Sequence, residues 1–306
     1  MAVCTCTSTL SNIGIGGCAP TQDVAYSLIF VKLRDGSGNL NRIDLSSIPD
    51  ASGISDLINE ADPTKRWYPT PELKNVEDVR ADSEFENFND GTKAKIRLGI
   101  RSFSGFVVSQ DSRFYEKVLP FQCQKEFGAY VVDVNGALHG DASVDGYLAP
   151  APIQASSMDN IYVKATDTTV SKVNIRFDWK NTFGDENLGM LVASDFASDV
   201  DLTSLNGLLS VTGTASAITT TGFTMAITDY YGSVLGTPVK GLVAADFSLY
   251  NATDAASVTI STVTESPEGT YAFTFSAEDS SDVLNLSIVA DGYDDAALEA
   301  VDITVP

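Results

Sequence analysis

Histidine and cysteine are scarce in this 306-residue chain, long apolar runs are missing, and basic residues nearly vanish from its second half. Each scarcity excludes a class of chemistry. His139 is the one histidine, so any site needing two imidazoles is ruled out. In the context Leu138-His139-Gly140-Asp141 it reads as an exposed loop residue after a strand rather than a general base. No G-x-S-x-G nucleophile elbow is present, which leaves acyl transfer without its turn. The four cysteines, Cys4, Cys6, Cys18 and Cys123, are too few and too unevenly spaced for a disulfide scaffold. A C-x-C pair is also a poor zinc spacing, so reduced thiols are expected.

No stretch approaches the roughly 20 apolar residues that cross a bilayer, so no membrane partner is expected. The opening residues, MAVCTCTSTLSNIGIGGCAP, lack both a cationic start and an apolar run, which predicts synthesis and assembly in a cytoplasm. Gly14-Ile15-Gly16-Gly17 neither follows a predicted strand nor opens a helix, and it is set aside as a phosphate loop. There is no EF-hand-like loop, and the carboxylate neighbours Asp294-Asp295 and Asp279/Asp282 are assigned to an acidic surface. The sequence thus yields no catalytic, cofactor-binding or metal-ligating residue, and the chain reads as a non-enzyme with no cofactor.

What is present is a globular composition, 43% hydrophobic and 20% charged, with a net charge of −22. So acidic a chain is a poor nucleic-acid grip, because phosphate binding needs clustered Lys and Arg. The charge is unevenly divided. Residues 1–180 hold 18 Lys+Arg and 23 Asp+Glu, whereas residues 181–306 hold 18 acids and a single base, Lys240. That break predicts four segments: an arm at 1–22, a β domain at 23–180, a linker at 181–206 and a second β domain at 207–306.

Local patterns fill in the first domain as antiparallel β with one flanking helix. Val24–Leu33 reads as a strand, followed by an Asp35–Asn39 turn and a partner run at Leu40–Leu45 that would complete a hairpin. A short helix is predicted from about Ser55. The prolines at 63, 69 and 71 make the segment from about Ala61 to Asn89 a loop. Lys93–Phe106 alternates charged with apolar residues and predicts one long strand with a buried face. Ser109–Cys123 predicts a helix with Ser109 or Asp111 as its cap and Pro120 as its stop. Asn135-Gly136 marks a hairpin turn, and Asn160–Ala165 with Ser171–Trp179 forms a further pair. Trp67, Tyr68, Phe85, Phe88, Phe103 and Phe106 are expected in the core or at a subunit interface. In 181–206 a short helix is expected near Leu188–Ser194.

Beyond Gly207 the texture changes to short Thr/Val/Ser-rich strands at Gly222–Thr228, Phe247–Asn251, Val258–Val263, Thr270–Ser276, Val283–Ala290 and Ala300–Val305. Six or so short strands in about 100 residues is an immunoglobulin-like sandwich pattern.

The order KAKIRLGIRSFSGF, SRFYEKVLPFQC, YVVDVNGALHG and VNIRFDWK resembles the tail-tube (major tail) proteins of long-tailed bacteriophages. The run Ser266-Pro267-Glu268-Gly269-Thr270-Tyr271 is similar to a turn-and-strand of bacterial and phage immunoglobulin-like modules. The resemblance implies a virion structural protein, assembled in the host cytoplasm into the tail. Its partners would be itself in hexameric rings, other virion tail proteins, and DNA passing through an acidic lumen without specific binding. The C-terminal module would project outward. Two other readings compete: a capsid decoration or head-fibre protein, and a bacterial surface adhesin or carbohydrate-binding protein.

Overall fold

In a computed structural model that describes residues 22–108 and 111–306, the chain is mainly β. The readings of Cys4, Cys6, Cys18, the Gly14–Gly17 run and Ser109 fall outside the described residues. The first strand, β1 (Ala25–Lys32), explains how the N-terminal part is built. Alternate residues of a strand point to opposite faces, and here both faces are covered. Leu28 and Phe30 enter one core while Ile29 and Val31 enter another. The unbroken apolar run Leu28–Val31 follows from that double burial.

After β1 come β2 (Ile43–Asp44), α1 (Ala51–Ile58), β3 (Tyr68–Pro69), β4 (Lys74–Arg80), β5 (Glu84–Asn87), β6 (Lys93–Arg97) and β7 (Arg101–Val108). Helix α2 (Ser112–Val118) and a 3-10 turn at Leu119–Cys123 lead to β8 (Phe127–Asp133), β9 (Leu138–Asp141), β10 (Tyr147–Leu148) and β11 (Ala151–Pro152). The hairpin of β12 (Asp159–Val163) and β13 (Lys172–Asp178) follows, then β14 (Leu188–Leu191). One sheet runs β14-β9-β8-β1-β3, with β11 also beside β8, and a second runs β12-β13-β7-β4. Between them lie Leu28, Phe30, Phe127, Phe103, Ile175 and Phe177. Phe103 stacks on Phe177 at 5.1 Å between ring centroids, and Trp179 meets Phe177 edge-on at 4.9 Å. On the far face of the first sheet, Ile54 and Ile58 of α1 pack with Trp67 against Tyr130 and Val132.

The C-terminal part is a separate two-sheet sandwich. Its strands are β15 (Leu209–Thr219), β16 (Gly222–Asp229), β17 (Phe247–Asn251), β18 (Ala256–Val258), β19 (Ile260–Glu265), β20 (Thr270–Phe275), β21 (Val283–Ile288), β22 (Tyr293–Asp294) and β23 (Ile303–Thr304), with a short α3 (Ala296–Glu299) before the last. The sheets run β19-β20-β16-β15-β22 and β18-β17-β21-β23. Their inner faces follow period 2: Phe223, Met225 and Ile227 on β16, Tyr271, Phe273 and Phe275 on β20, Leu284, Leu286 and Ile288 on β21. Buried Tyr271 keeps a partner for its hydroxyl, which donates to the Val239 carbonyl at 2.9 Å.

Polar contacts join the two parts. Lys117 Nζ donates to Ser210 Oγ at 2.8 Å, Tyr230 donates its hydroxyl proton to Glu116 Oε2 at 2.7 Å, and the Gly292 amide donates to Asn59 Oδ1 at 2.9 Å. Arg113 and Lys117 also sit over the Tyr230 ring, 4.5 and 4.7 Å from its centroid.

Several expectations need correction. The turn at Asp35–Asn39 forms, but it leads to a single bridge, Arg34 with Leu40, and β2 pairs with β10 instead of β1. The two edges of β1 are already taken by β3 and β8. Helix α1 starts before Ser55 because Asp50 caps it, accepting from the Gly53 amide at 2.9 Å. The segment expected as a Pro-broken loop contains β3, β4 and β5, its prolines standing outside or at the end of strands. The expected helix over Ser109–Cys123 is only seven residues of α-helix, tightening to 3-10 where Pro120 removes a donor. The segment 181–206 is no linker: β14 pairs with β9, and Phe183, Leu191, Phe196 and Leu202 are buried in the N-terminal cores. In the C-terminal sandwich the run Val258–Val263 is divided between two strands, and Ala300–Val305 supplies only the two-residue β23. Leu209–Thr219, absent from the expected strands, is the longest strand there.

Candidate assembly surface

The run expected as one long strand, Lys93–Phe106, is broken at 98–100, and the break defines the most unusual feature of the surface. Strands β4 and β7 pair within the second sheet as far as Arg80 opposite Arg101. Beyond them β5 and β6 continue outward as a separate two-stranded ribbon. Every residue from Glu84 to Leu98 is exposed. The expected buried face of β6 is exposed, because no second layer among the described residues covers it. The tip is a well-formed turn: Phe88 N donates to Thr92 O at 2.9 Å, Gly91 has φ +83°, and Asp90 Oδ1 accepts from both the amide and the hydroxyl of Thr92. A register shift between Glu84 and Phe85 leaves Ile96 without an opposite partner.

The arm exposes Phe85 (53%), Phe88 (45%), Ile96 (61%) and Leu98 (48%). Neither outer edge of the ribbon is paired among the described residues. Open edges and exposed large apolar side chains together are a surface that natural proteins keep for a partner, because left uncovered they invite uncontrolled pairing.

The root of the arm is held by charge. Arg80 donates to Asp185 through Nε (2.8 Å) and a terminal nitrogen (2.9 Å), and a further nitrogen reaches the Gly99 carbonyl at 2.8 Å. Arg101 donates to Asp78 through two nitrogens, at 2.6 and 2.8 Å, and to Asp185 at 3.1 Å. Trp179 Nε1 completes the set on Asp78 at 3.1 Å. Paired in this way with Arg80 and then Arg101, Asp185 is held below the usual carboxylate range against a smaller opposing effect of burial. Gly99 is required here for space: a Cβ would lie 1.8 Å from the Ala81 carbonyl oxygen, so the strands of the arm cross in contact.

Charge is also sorted along the arm. Strand β5 carries Glu84 and Glu86, and β6 carries Lys93, Lys95 and Arg97. Within the arm Arg97 forks onto Glu84 at 2.9 and 2.6 Å, which lowers the Glu84 carboxyl and raises the guanidinium. The other charges of the two strands face solvent.

The remaining candidates lie away from the arm. His139 is not an exposed loop residue: it lies on β9 at 5% exposure, with Nε2 3.1 Å from Asp133 Oδ2. Asp133 Oδ1 accepts from the amides of Asn135 and Ala137, both at 2.9 Å, so the carboxylate ties the Asn135-Gly136 turn together. Burial pushes the Asp133 carboxyl up, but these amides and His139 more than offset it and the net shift is downward. Asp282 is likewise buried rather than at the surface. With Asp254 and Glu278 it forms a trio of carboxylates within 4.8 Å of one another. The amide nitrogen of Asn251 donates to Glu278 (2.8 Å) and Asp282 (3.0 Å), while its oxygen accepts from the Thr253 and Asp254 amides. Those two backbone donors fix the carboxamide orientation, so that its N–H groups point at the carboxylates. Asp295 accepts from the Ile288 amide at 2.6 Å, and Asp294 accepts from Ser210 Oγ at 3.3 Å. Cys123 is exposed as a free thiol.

Of the aromatic set, Trp67 and Phe103 are core, Tyr68 and Phe106 are half-buried, and Phe85 and Phe88 stand on the arm. The sequence grouped all six together because pattern alone cannot tell which alternating strand has a second layer over it. Between the two parts of the chain lies a cleft of about 400 Å³ walled by Phe30, Tyr68, Phe114, Phe121 and Tyr231, with Lys117 and Asp294 at its polar margin. No helix among the described residues is long and apolar enough to cross a membrane. No protein-family model matches the chain, and no curated protein sequence matches it.

Proposed function

We propose that this chain is a structural subunit that self-associates through its arm and open sheet edges into rings, and that the rings stack into a tube. The observation that carries this reading is the arm itself: exposed apolar side chains over Glu84–Leu98 and two edges unpaired among the described residues, held by a charged clamp at the root. A mobile loop would need no such clamp, whereas a docking element loses less entropy on binding when its angle is already set. Strands β4 and β12 are also the outer strands of the second sheet, so a neighbour could continue that sheet on either side.

Together with the resemblance in the order of elements, this makes a bacteriophage tail tube the favoured identity. The C-terminal sandwich is then an immunoglobulin-like module carried on the outside. Electron microscopy of the purified full-length chain over a concentration series is the test. Hollow tubes or stacked rings of uniform diameter are expected. A chain that stays monomeric at every concentration overturns the reading.

A further inference from the structure

The dipeptide Asn-Gly occurs twice in the chain, at Asn135-Gly136 and Asn206-Gly207, and the fold treats the two copies in opposite ways. An asparagine before glycine is open to attack by its own backbone, because a glycine amide carries no Cβ to obstruct its approach to the side-chain carbonyl. In a folded chain that attack needs an amide nitrogen free of hydrogen bonds and a backbone able to turn toward the carboxamide. The first copy has neither. Gly136 is buried at φ +76°, and its amide donates to the Asp133 carbonyl at 3.0 Å. Asp133 Oδ1 holds the amides on either side of it, and the Asn135 carboxamide donates to Asp23 Oδ2 at 3.1 Å. The second copy lies between the 3-10 turn at Leu202–Ser204 and β15, outside every helix and strand. Asn206 and Gly207 are both exposed, and no amide of residues 205–208 donates a hydrogen bond among the described residues. The Asn206 carboxamide donates to the Ser204 carbonyl at 3.1 Å, a contact within its own loop.

We infer that Asn206 is a self-modification site, at which the Gly207 amide converts the asparagine to aspartate and isoaspartate while Asn135 is spared. The Gly207 nitrogen gives up its proton to solvent hydroxide and forms a bond to Asn206 Cγ. The bond from Cγ to Nδ2 then breaks, and that nitrogen takes a proton from water and leaves as ammonia. A cyclic imide remains. Water adds to either of its two ring carbonyls and opens it to aspartate or isoaspartate, so the net change is uptake of water and loss of ammonia. The place gives this change a consequence. Asn206 stands on the wall of the cleft between the two parts of the chain, as do Lys117 and Asp294. Conversion adds a negative charge there. The isoaspartate form also lengthens the backbone just before β15, where the Leu209 amide donates to the Gly292 carbonyl at 2.8 Å. Nothing in this chemistry requires assembly, so it goes beyond the tube reading and stands or falls apart from it.

The test is peptide mapping by mass spectrometry on the full-length folded protein, sampled over time at mildly alkaline pH, with enzymatic methylation to count isoaspartate. Asn206 is expected to convert about tenfold or more faster than Asn135. In denaturant the protection of Asn135 is lost, and the two rates are expected to come together. Equal rates in the folded chain overturn the assignment. So does an Asn206 that stays intact in the folded chain while converting in denaturant. Gly207→Ala separates attack by this amide from direct hydrolysis of the side chain. The added Cβ would lie 3.3 Å from the Pro69 carbonyl oxygen, a contact that a small shift relieves, and circular dichroism checks the fold. Conversion at Asn206 is expected to slow several-fold in this variant with Asn135 unchanged; an unchanged rate at Asn206 overturns the mechanism. In converted wild-type protein the Leu209 amide is expected to exchange several-fold faster, and unchanged exchange there overturns the effect on the joint.

Discussion

The two β-rich parts of this chain are alike inside and opposite at their edges. In the C-terminal sandwich the outer strands are short or irregular: β18 has three residues, β22 and β23 two each, and β19 is bulged between Ile260 and Thr262. Those are the ordinary means of keeping a sheet from recruiting another chain. The surface of this part is acidic and nearly without bases, which adds repulsion between copies. The N-terminal part does the reverse. It extends two strands beyond any second layer, places apolar side chains on them, mixes both signs of charge, and fixes the root with Arg80, Arg101, Asp78 and Asp185. One part is finished as a single chain; the other, on the reading proposed above, is completed by a neighbour.

The largest effects expected are in the interiors, and they should be equal in the two parts. Phe177→Ala and Phe273→Ala each remove a ring that is buried at 2% and 1% exposure, and each is expected to cost about 3–5 kcal/mol in chemical denaturation. Phe85→Ala, on the arm, is expected to change stability by less than about 0.5 kcal/mol while weakening self-association. A cost above about 1 kcal/mol for Phe85→Ala would mean that the ring is covered within the chain, and the contrast between core and arm would fail.

Next in size is the buried turn carboxylate. Asp133→Ala removes the acceptor for two backbone amides and the partner of His139, and is expected to cost about 2–3 kcal/mol. Because its carboxyl is lowered in the folded chain, its contribution is complete above the ordinary aspartate value and is lost as pH falls through the lowered one. Denaturation of the wild type and the variant should therefore converge toward acid. A constant difference across that range would remove the carboxylate's charge from the account.

A smaller effect sharpens how the two parts are joined. Asp111 caps α2 through Oδ1, accepting from the Arg113 and Phe114 amides, and reaches the sandwich through Oδ2, which accepts from Gly232 N at 2.6 Å. Asp111→Ala is expected to cost about 1 kcal/mol, and Asp111→Asn less, since the amide oxygen can still cap. Equal losses in the two variants would show that the cap is not what Asp111 contributes.

The sequence made the C-terminal sandwich legible and the arm illegible for a physical reason. Strands at Phe247–Asn251 and Thr270–Phe275 announce themselves because one face is core and the other solvent, so composition and burial alternate together. Lys93–Arg97 alternates just as well, yet its apolar positions are exposed and face no layer among the described residues. Alternation reports that a strand has two unlike faces and says nothing about whether the partner of the apolar face belongs to the same molecule. The clamp was invisible for a different reason. Asp185 lies 105 residues from Arg80 and 84 from Arg101, inside a segment whose acidity and sparse periodicity made it look like a linker. The burial of Phe183 and Leu191 on either side and the pairing of β14 with β9 tie it to the body. His139 and Asp133 were six residues apart with an Asn-Gly turn between them, a spacing that brings the two side chains together across the hairpin.

Asp185 gives the finest test of whether the arm is a positioned element or merely an exposed one. Its side chain is 57% exposed, so its pairs with Arg80 and Arg101 are screened and contribute little to global stability, about 0.5 kcal/mol. Asp185→Asn should accordingly leave the denaturation midpoint almost unchanged. Its local consequence should be larger, because Arg80 and Arg101 are the last registered pair before the arm leaves the sheet. The amide of Ala81, which donates to the Ile100 carbonyl at 2.9 Å just beyond that pair, should exchange several-fold faster in the variant, and amides deep in β1 should not respond. The same loosening should appear in the wild type on acidification: the contribution of Asp185 to the clamp is complete above the ordinary aspartate value and is lost as pH falls through its lowered value. If the arm is positioned for docking, its loosening must also weaken self-association, since a wandering arm loses more entropy when it binds. Faster exchange at Ala81 without weaker association would leave the clamp as a surface ion pair and the arm's angle without consequence.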